Sequence, residues 1–194
     1  MKAHVALLPL LYVMARGIFM VAELTGEARE QVLEVQRWAD PKLAGTSPPH
    51  ITLVGSSGVG PIAWDTDVDD VAAAVGPIAA STPPITVNFG APVRFMQTEI
   101  VVLPLDPHGP LRTLHERIAT SGLRFERARF AFSPHCTLSF FPVITPAMQR
   151  RLMRVRVSVP VVIDSLQFYL TPDIGTGRKV LELALTGEEL PVAR

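Results

Sequence analysis

SPHCTLSFF, residues 133–141, repeats with few changes a stretch met earlier in the chain, PPHITLVG at 48–55. Both read Pro-His-x-Thr-Leu, both alternate apolar and polar positions, and both are bounded by turn-forming residues, so each is expected to be a short strand. Along a strand the side chains alternate faces, and residues two apart point the same way, about 6 to 7 Å from one another. His50 and Thr52 therefore project together while Ile51 and Leu53 turn to the other face. His135 and Thr137 stand in the same relation to Cys136 and Leu138. The Pro ahead of each His stiffens the backbone that leads into the strand.

The rest of the chain reads outward from these two strands. GIFMVAEL (17–24) is a β-rich apolar run, and a helix follows over 26–38, with Val32, Leu33, Val35 and Trp38 on its apolar side and Asp40-Pro41 as its stop. GSSGVGP (55–61) is a turn. Asp67 or a neighbour caps a second helix, VDDVAAAVGPIAAS (68–81), which Pro83-Pro84 terminates. ITVNFGAPVRF (85–95) and TEIVVLPL (98–105) alternate as paired antiparallel strands. A third helix is expected over 110–120 after the turn DPHG, and a fourth over TPAMQRRLMRV (145–155). VVIDSLQFYL and KVLELAL close the chain as a hairpin around TPDIGTGR (171–178). This order predicts an α+β fold in a single bilobal domain over 1–194. Its N-terminal half, about 17–80, carries the first motif and its C-terminal half, about 110–190, the second. Two antiparallel sheets are expected to form a central cleft about a pseudo-twofold axis, with helices outside.

Lys plus Arg and Asp plus Glu are each 18, so no global field draws the protein to long nucleic acid or to an acidic membrane. The single Cys136 excludes an internal disulfide and a multi-cysteine zinc site, and fits a reducing compartment. MKAHVALLPLLYVMARG (1–17) begins like a signal peptide. Pro9 interrupts the run, Arg16 closes it, and it falls short of the roughly 20 apolar residues of a membrane span. It is read as a buried first strand of a cytoplasmic protein; a start codon assigned too early would produce the same pattern.

Two imidazoles and two hydroxyls at one site suit cleavage of a phosphate ester without a metal. One neutral imidazole takes a proton from water or a hydroxyl while a protonated one gives a proton to the departing oxygen, and histidine holds either state near neutral pH. Thr hydroxyls can donate to the non-bridging oxygens as negative charge builds on them. A lone H-x-T would be read as a half-buried polar pair satisfied by backbone; two copies with the same flanks are read as chemistry.

The paired motifs resemble those of the 2H phosphoesterase superfamily, and the chain looks most like its RNA 2′,3′-cyclic phosphodiesterase or 2′-5′ RNA ligase branch. GIFMVAELTGEAREQVLEVQ (17–36) is similar to the family's opening strand and helix, PPHITL to its first motif, FSPHCTL to its second, and IDSLQFYLTPDIGTGRKVLELA (163–184) to its closing hairpin. The resemblance implies that His50 and His135 are general acid and base, that Thr52 and Thr137 donate to phosphate oxygens, and that no metal or other cofactor takes part. The implied substrate is a nucleotide or short RNA with a 2′,3′-cyclic phosphate or 2′-5′ linkage, with ligation as the reverse reaction, and the protein is expected to be a monomer. That branch continues its second motif as H-x-T-L-A-R, whereas Phe140 stands here at the Arg position. Arg178, or Arg127 and Arg129, are candidates to replace that cation, a solvated surface charge being the plainer reading of each. Phe19 and Tyr169 lie on strands that could border the cleft and stack a base, against a plain role in the core.

From another class, the alternative is a binding module that keeps the cleft and has lost turnover, and the Phe140 departure is what favours it. A third reading, the histidines as metal ligands, lacks a third ligand at a suitable spacing. GSSGVGP has Pro61 where a P-loop needs Lys, and DTDVDD (65–70) has Asp70 and Gly76 where a calcium loop needs Gly and Glu, so both are read as turn and cap. Cys136 is read as a buried hydrophobe rather than a nucleophile. His4, His108 and His115 are read as surface or structural, and Arg150, Arg151, Arg154 and Arg156 as a solvated helix face.

Overall fold

The two His strands lie side by side in the middle of one antiparallel sheet. The computed structural model describes residues 16–95, 98–140, 145–172 and 177–188. In chain order the elements are β1 (Gly17–Glu23), α1 (Gly26–Ala39), α2 (Pro41–Thr46), β2 (His50–Val54), α3 (Val68–Ala80), β3 (Ile85–Val87), β4 (Val93–Arg94), β5 (Val101–Pro104), α4 (Pro110–Ala119), β6 (His135–Ser139), α5 (Pro146–Leu152), β7 (Val161–Ile163), β8 (Ser165–Thr171) and β9 (Arg178–Ala184). The apolar run of residues 1–15, expected as a first strand, lies outside the described residues.

The large sheet has seven strands in the order β4-β5-β6-β2-β1-β8-β9, and β3 and β7 pair separately. The two leaves expected from the sequence are present as β9-β8-β1-β2 and β6-β5-β4, but they are not free of one another. They meet at a seam where Ile51 pairs with Cys136, which makes one continuous sheet. The closing hairpin β8–β9 lies against β1, in the same leaf as the first motif.

Alternation decides the faces. Ile18, Met20, Ala22, Ile51, Leu53, Cys136, Leu138, Leu166 and Phe168 are all at most 1% exposed and form the core with the helices. Each such Leu, Ile or Phe contributes about 1.5–3 kcal/mol of burial. α1 offers Ala28, Val32, Val35 and Ala39 to this face, and α4 offers Leu111, Leu114 and Ile118, the spacing of an amphipathic stripe. In α3 the buried residues are Val71, Val75 and Ala79, and Pro77 falls on the exposed side. The carbonyl that Pro77 cannot satisfy, that of Ala73, is thus on the wet face of the helix, which is why the helix continues through it.

Three expectations shift. ITVNFGAPVRF does not make one strand: β3 leaves to pair with β7, and only Val93 and Arg94 pair with β5. VVIDSLQFYL is likewise divided at Asp164 into β7 and β8. Asp40-Pro41 ends α1 as expected and also starts α2, with the Asp40 carboxylate accepting from Leu43 N at 3.0 Å and Pro41 in the first turn. No helix among the described residues is long and apolar enough to cross a membrane.

Candidate active site

β2 and β6 have the same burial pattern, half-exposed at His and Thr and buried at the residues between and after them. An antiparallel pair has a local twofold axis, here passing through the Ile51 and Cys136 pair. Ile51 opposite Cys136 joins the two strands, and by strand alternation His50, Thr52, His135 and Thr137 all lie on the face away from the helices. Each histidine is one residue from this pair; diagonal neighbours on a regular antiparallel pair have Cβ atoms about 7–8 Å apart, and the charge of His50 is felt at His135. A phosphate unit with one hydrogen bond at each end spans roughly 8 to 9 Å between donor and acceptor nitrogens, so the pair can flank one phosphorus.

The imidazoles are fixed in the same way. His50 Nδ1 lies 2.8 Å from the Pro48 carbonyl oxygen and His135 Nδ1 lies 2.7 Å from that of Ser133. A carbonyl can only accept, so Nδ1 carries the hydrogen in both rings and Nε2 is the atom left for chemistry. Ser47 Oγ is 3.3 Å from His50 Nδ1, and the Phe95 ring meets His135 edge-on at 5.0 Å between centroids. Burial is the largest influence on both rings and pushes each below the ordinary histidine range. The Pro48 carbonyl and the Glu23 carboxylate act in the opposite sense on His50. The Ser133 carbonyl does so on His135, while the charge of His50 lowers it further.

The seam is held open from below. Gln36 Nε2 donates to the Thr137 carbonyl at 2.7 Å, and the buried Asp40 accepts from Phe140 N at 2.7 Å, so the end of α1 supplies partners to β6 beyond the Ile51 and Cys136 pair. Gly55, just after β2, has room for no side chain. A Cβ there would meet Thr52 Cγ2 at 2.7 Å and Phe19 Cδ1 at 2.8 Å, which also shows that the Phe19 ring packs beside Thr52.

The other expected residues separate. Tyr169 stands opposite Phe19 in the β1–β8 register, on the same face as the imidazoles, and its hydroxyl donates to Glu23 Oε1. Burial, with the Glu23 bond and charge, pushes its phenol up to about 12. Arg178 pairs opposite Leu170, so it leaves the sheet on the face away from the imidazoles. Arg127 and Arg129 line a cavity of about 540 Å³ with Arg16, Trp64, Asp65 and Glu126, none of which belongs to the His and Thr set. Phe140, half-exposed, follows β6 directly and is tied through its backbone to Asp40. Arg151, Arg154 and Arg156 line a separate cavity of about 430 Å³ with Trp38, over which Arg151 stacks at 3.8 Å. Cys136 is buried and its thiol is pushed up to about 12 by that burial, so no thiolate faces the site. His115 is structural: it is buried, bonded to the Leu53 carbonyl at 2.8 Å and stacked on Phe132.

Sequence reasoning missed Glu23, Lys179 and Phe95. Glu23 ends an apolar strand two residues beyond Val21 and four beyond Phe19, so its face could have been read from alternation. Lys179 needs the β8–β9 register, and Phe95 needs the turn that returns β4 to β5.

Comparison with known proteins agrees with this arrangement. The family model described as the 2′-5′ RNA ligase superfamily matches residues 25–171. In fold the chain is similar to TT0787 of Thermus thermophilus, at 18% identity and a TM-score of 0.61, over 90% of this chain and 100% of that one. It is similar to E. coli LigT complexed with NADP+, at 18% identity and a TM-score of 0.52, over 89% and 99%. It is also similar to LigT complexed with 3′-AMP, at 21% identity and 0.53, over 88% and 98%. Among curated proteins, none matches the sequence. The chain belongs to the 2′-5′ RNA ligase superfamily of 2H phosphoesterases.

Proposed function

We propose that this protein is a metal-independent phosphodiesterase that opens 2′,3′-cyclic phosphates, or cleaves or forms 2′-5′ linkages, in nucleotides or short RNA. The observation that supports the reading is the pairing of the two motif strands at Ile51 and Cys136, with His50, Thr52, His135 and Thr137 on the same face of the sheet. In the opening of a 2′,3′-cyclic phosphate, water attacks phosphorus as one Nε2 takes its proton. The bond from phosphorus to the 2′ or 3′ oxygen breaks, and that oxygen takes a proton from the other Nε2. Thr52 and Thr137 donate to the non-bridging oxygens, where charge grows. One water is consumed, one monoester forms, and solvent restores the starting protonation. A general acid and a general base each supply about 10²- to 10⁴-fold.

Solved complexes of LigT with ATP, NADP+ and 3′-AMP favour a nucleotide as the occupant of this cleft. Phe19 and Tyr169 are the aromatic surfaces on the same leaf against which a base would stack. The experiment is incubation of purified protein with 2′,3′-cyclic nucleotides and with 2′-5′ oligonucleotides in EDTA. Monoester or cleaved product is expected. Absence of product from every such substrate, or activity that EDTA abolishes, overturns the reading.

A further inference from the structure

Between Glu126 and Asp164 the sequence has no acidic residue, and within that span Arg150, Arg151, Arg154 and Arg156 fall close together. The net charge of the whole chain is zero, so this is a local excess, and the fold leaves it uncompensated. Arg29, Arg94, Arg112 and Arg124 each pair with a carboxylate, whereas among the described residues no carboxylate pairs with any of these four. All four are exposed. Like charges set close repel one another, and an anion seated among them relieves that repulsion.

Three of them line a cavity. Arg151, Arg154 and Arg156 surround about 430 Å³ together with Glu34 and Trp38, which lie one turn apart on α1. That volume is within the roughly 300–1,000 Å³ of ligand sites. Trp38 is half-exposed, and the Arg151 guanidinium carbon lies 3.8 Å from its ring centroid. Arg156 Nη1 donates to the Val155 carbonyl at 2.7 Å and to that of Met153 at 3.3 Å, which holds the side chain at the cavity while its other nitrogens bond no described residue. Arg154 has no hydrogen bond or ion pair among the described residues. The end of α1 meets β6 through Gln36 and Asp40, and Trp38 lies about 200° round the helix from Gln36. The cavity is thus on the far side of α1 from β6, roughly 20 Å from the imidazole face when the width of a helix is added to its spacing from the sheet.

We propose that this cavity is a second binding site for single-stranded RNA, which holds the substrate chain away from its reacting end. The inference takes from the reading above only that the substrate is RNA. A guanidinium fork matches two phosphate oxygens at once, which suits Arg154 and Arg156 to successive phosphates. Trp38 and the Arg151 guanidinium over it offer a flat surface on which an unpaired base stacks. An acidic peptide would answer the charges and leave that surface unused, and a duplex keeps its bases stacked on one another, so the unpaired strand is the occupant that uses both features. At about 3.4 Å per stacked nucleotide, a strand that leaves the imidazoles needs at least about six nucleotides to reach this place. The protein therefore selects oligonucleotides over mononucleotides by a contact remote from the two histidines.

The test is binding of a 3′-hydroxyl oligoadenylate of about 12 nucleotides, longer than that span, to the full chain by fluorescence anisotropy over a range of salt. Single strands give a slope of log K against log salt of about −0.7 per phosphate contacted, so Arg154→Gln with Arg156→Gln should make the slope shallower by about 1.4. The same variant should lower kcat/KM by roughly 3- to 30-fold for an oligonucleotide ending in a 2′,3′-cyclic phosphate and leave a cyclic mononucleotide at the wild-type rate. The wild type supplies a readout that needs no variant to fold. Trp38 and Trp64 are the two indoles of the chain, and RNA should move the NMR signal of the Trp38 indole N–H. No binding of the oligoadenylate, a shift at Trp64 without one at Trp38, an unchanged salt slope in the double variant, or polyglutamate bound as tightly as the RNA would each overturn the proposal. Failure to turn over either cyclic phosphate would instead remove the phosphodiesterase reading, since oligoadenylate binding needs no turnover.

Discussion

Replacing Asp40 by Ala should loosen the seam and lower stability measurably. The carboxylate is 4% exposed and does two jobs, capping α2 through Leu43 N at 3.0 Å and accepting from Phe140 N at 2.7 Å. Loss of an Asp cap costs about 1 kcal/mol, and a hydrogen bond to a charged acceptor contributes about 1.5–3 kcal/mol. The sum is about 2.5–4 kcal/mol, a large part of the roughly 5–15 kcal/mol that holds a domain folded. At about 2–4 °C per kcal/mol for a chain of this size, the melting midpoint should fall by about 5 to 15 °C. Circular dichroism during heating reads this directly, and Asp40→Asn, which keeps an acceptor oxygen and loses the charge, should fall between the wild type and Asp40→Ala. A shift of less than about 2 °C for Asp40→Ala would refute the reasoning that α1 and β6 are tied through this side chain.

Two further outcomes follow from the same geometry. Thr52→Val and Thr137→Val remove a hydroxyl each from half-exposed positions, so each should reduce kcat by about 10²- to 10³-fold while unfolding midpoints in urea stay close to wild type; loss of stability with unchanged kcat would assign the hydroxyls to structure instead. His50, His115 and His135 are all held below their ordinary range, by burial first in each case. The unfolded chain therefore binds more protons than the folded one once pH falls below about 6.5, and stability drops on acidification from there and levels off above it. Urea midpoints that rise between pH 7 and about pH 5 would contradict this.

Local pattern carried what alternation and period could carry. The extents of β2, α1 and α4, and the common face of His50 with Thr52 and of His135 with Thr137, follow from side-chain direction alone. So does the burial of Cys136. What did not follow is which strand pairs with which. β3 reaches across to β7, the closing hairpin joins β1, and β2 meets β6 at one pair; each is a long-range choice made by packing. The consequence for the site is direct. By sequence Arg178 is a candidate for the missing cation, with a solvated surface charge as the plainer reading, and its register opposite Leu170 turns it away from the imidazoles. Its neighbour Lys179, opposite Tyr169, faces the cleft in its stead and reaches Glu23. Asp40 shows the same limit: Asp-Pro is a helix stop by local rules, and only the fold reveals that its carboxylate also holds the end of β6.

The central claim is that His50 and His135 act together on one phosphorus, and the most direct measurement is turnover of a 2′,3′-cyclic nucleotide in EDTA by the wild type, His50→Ala, His135→Ala and the double variant. Each single variant should lose about 10²- to 10⁴-fold. The double variant should lose little more than the worse single one, because acid and base serve one displacement. A single variant that retains activity within a few fold of wild type, or losses that simply multiply in the double variant, would contradict it.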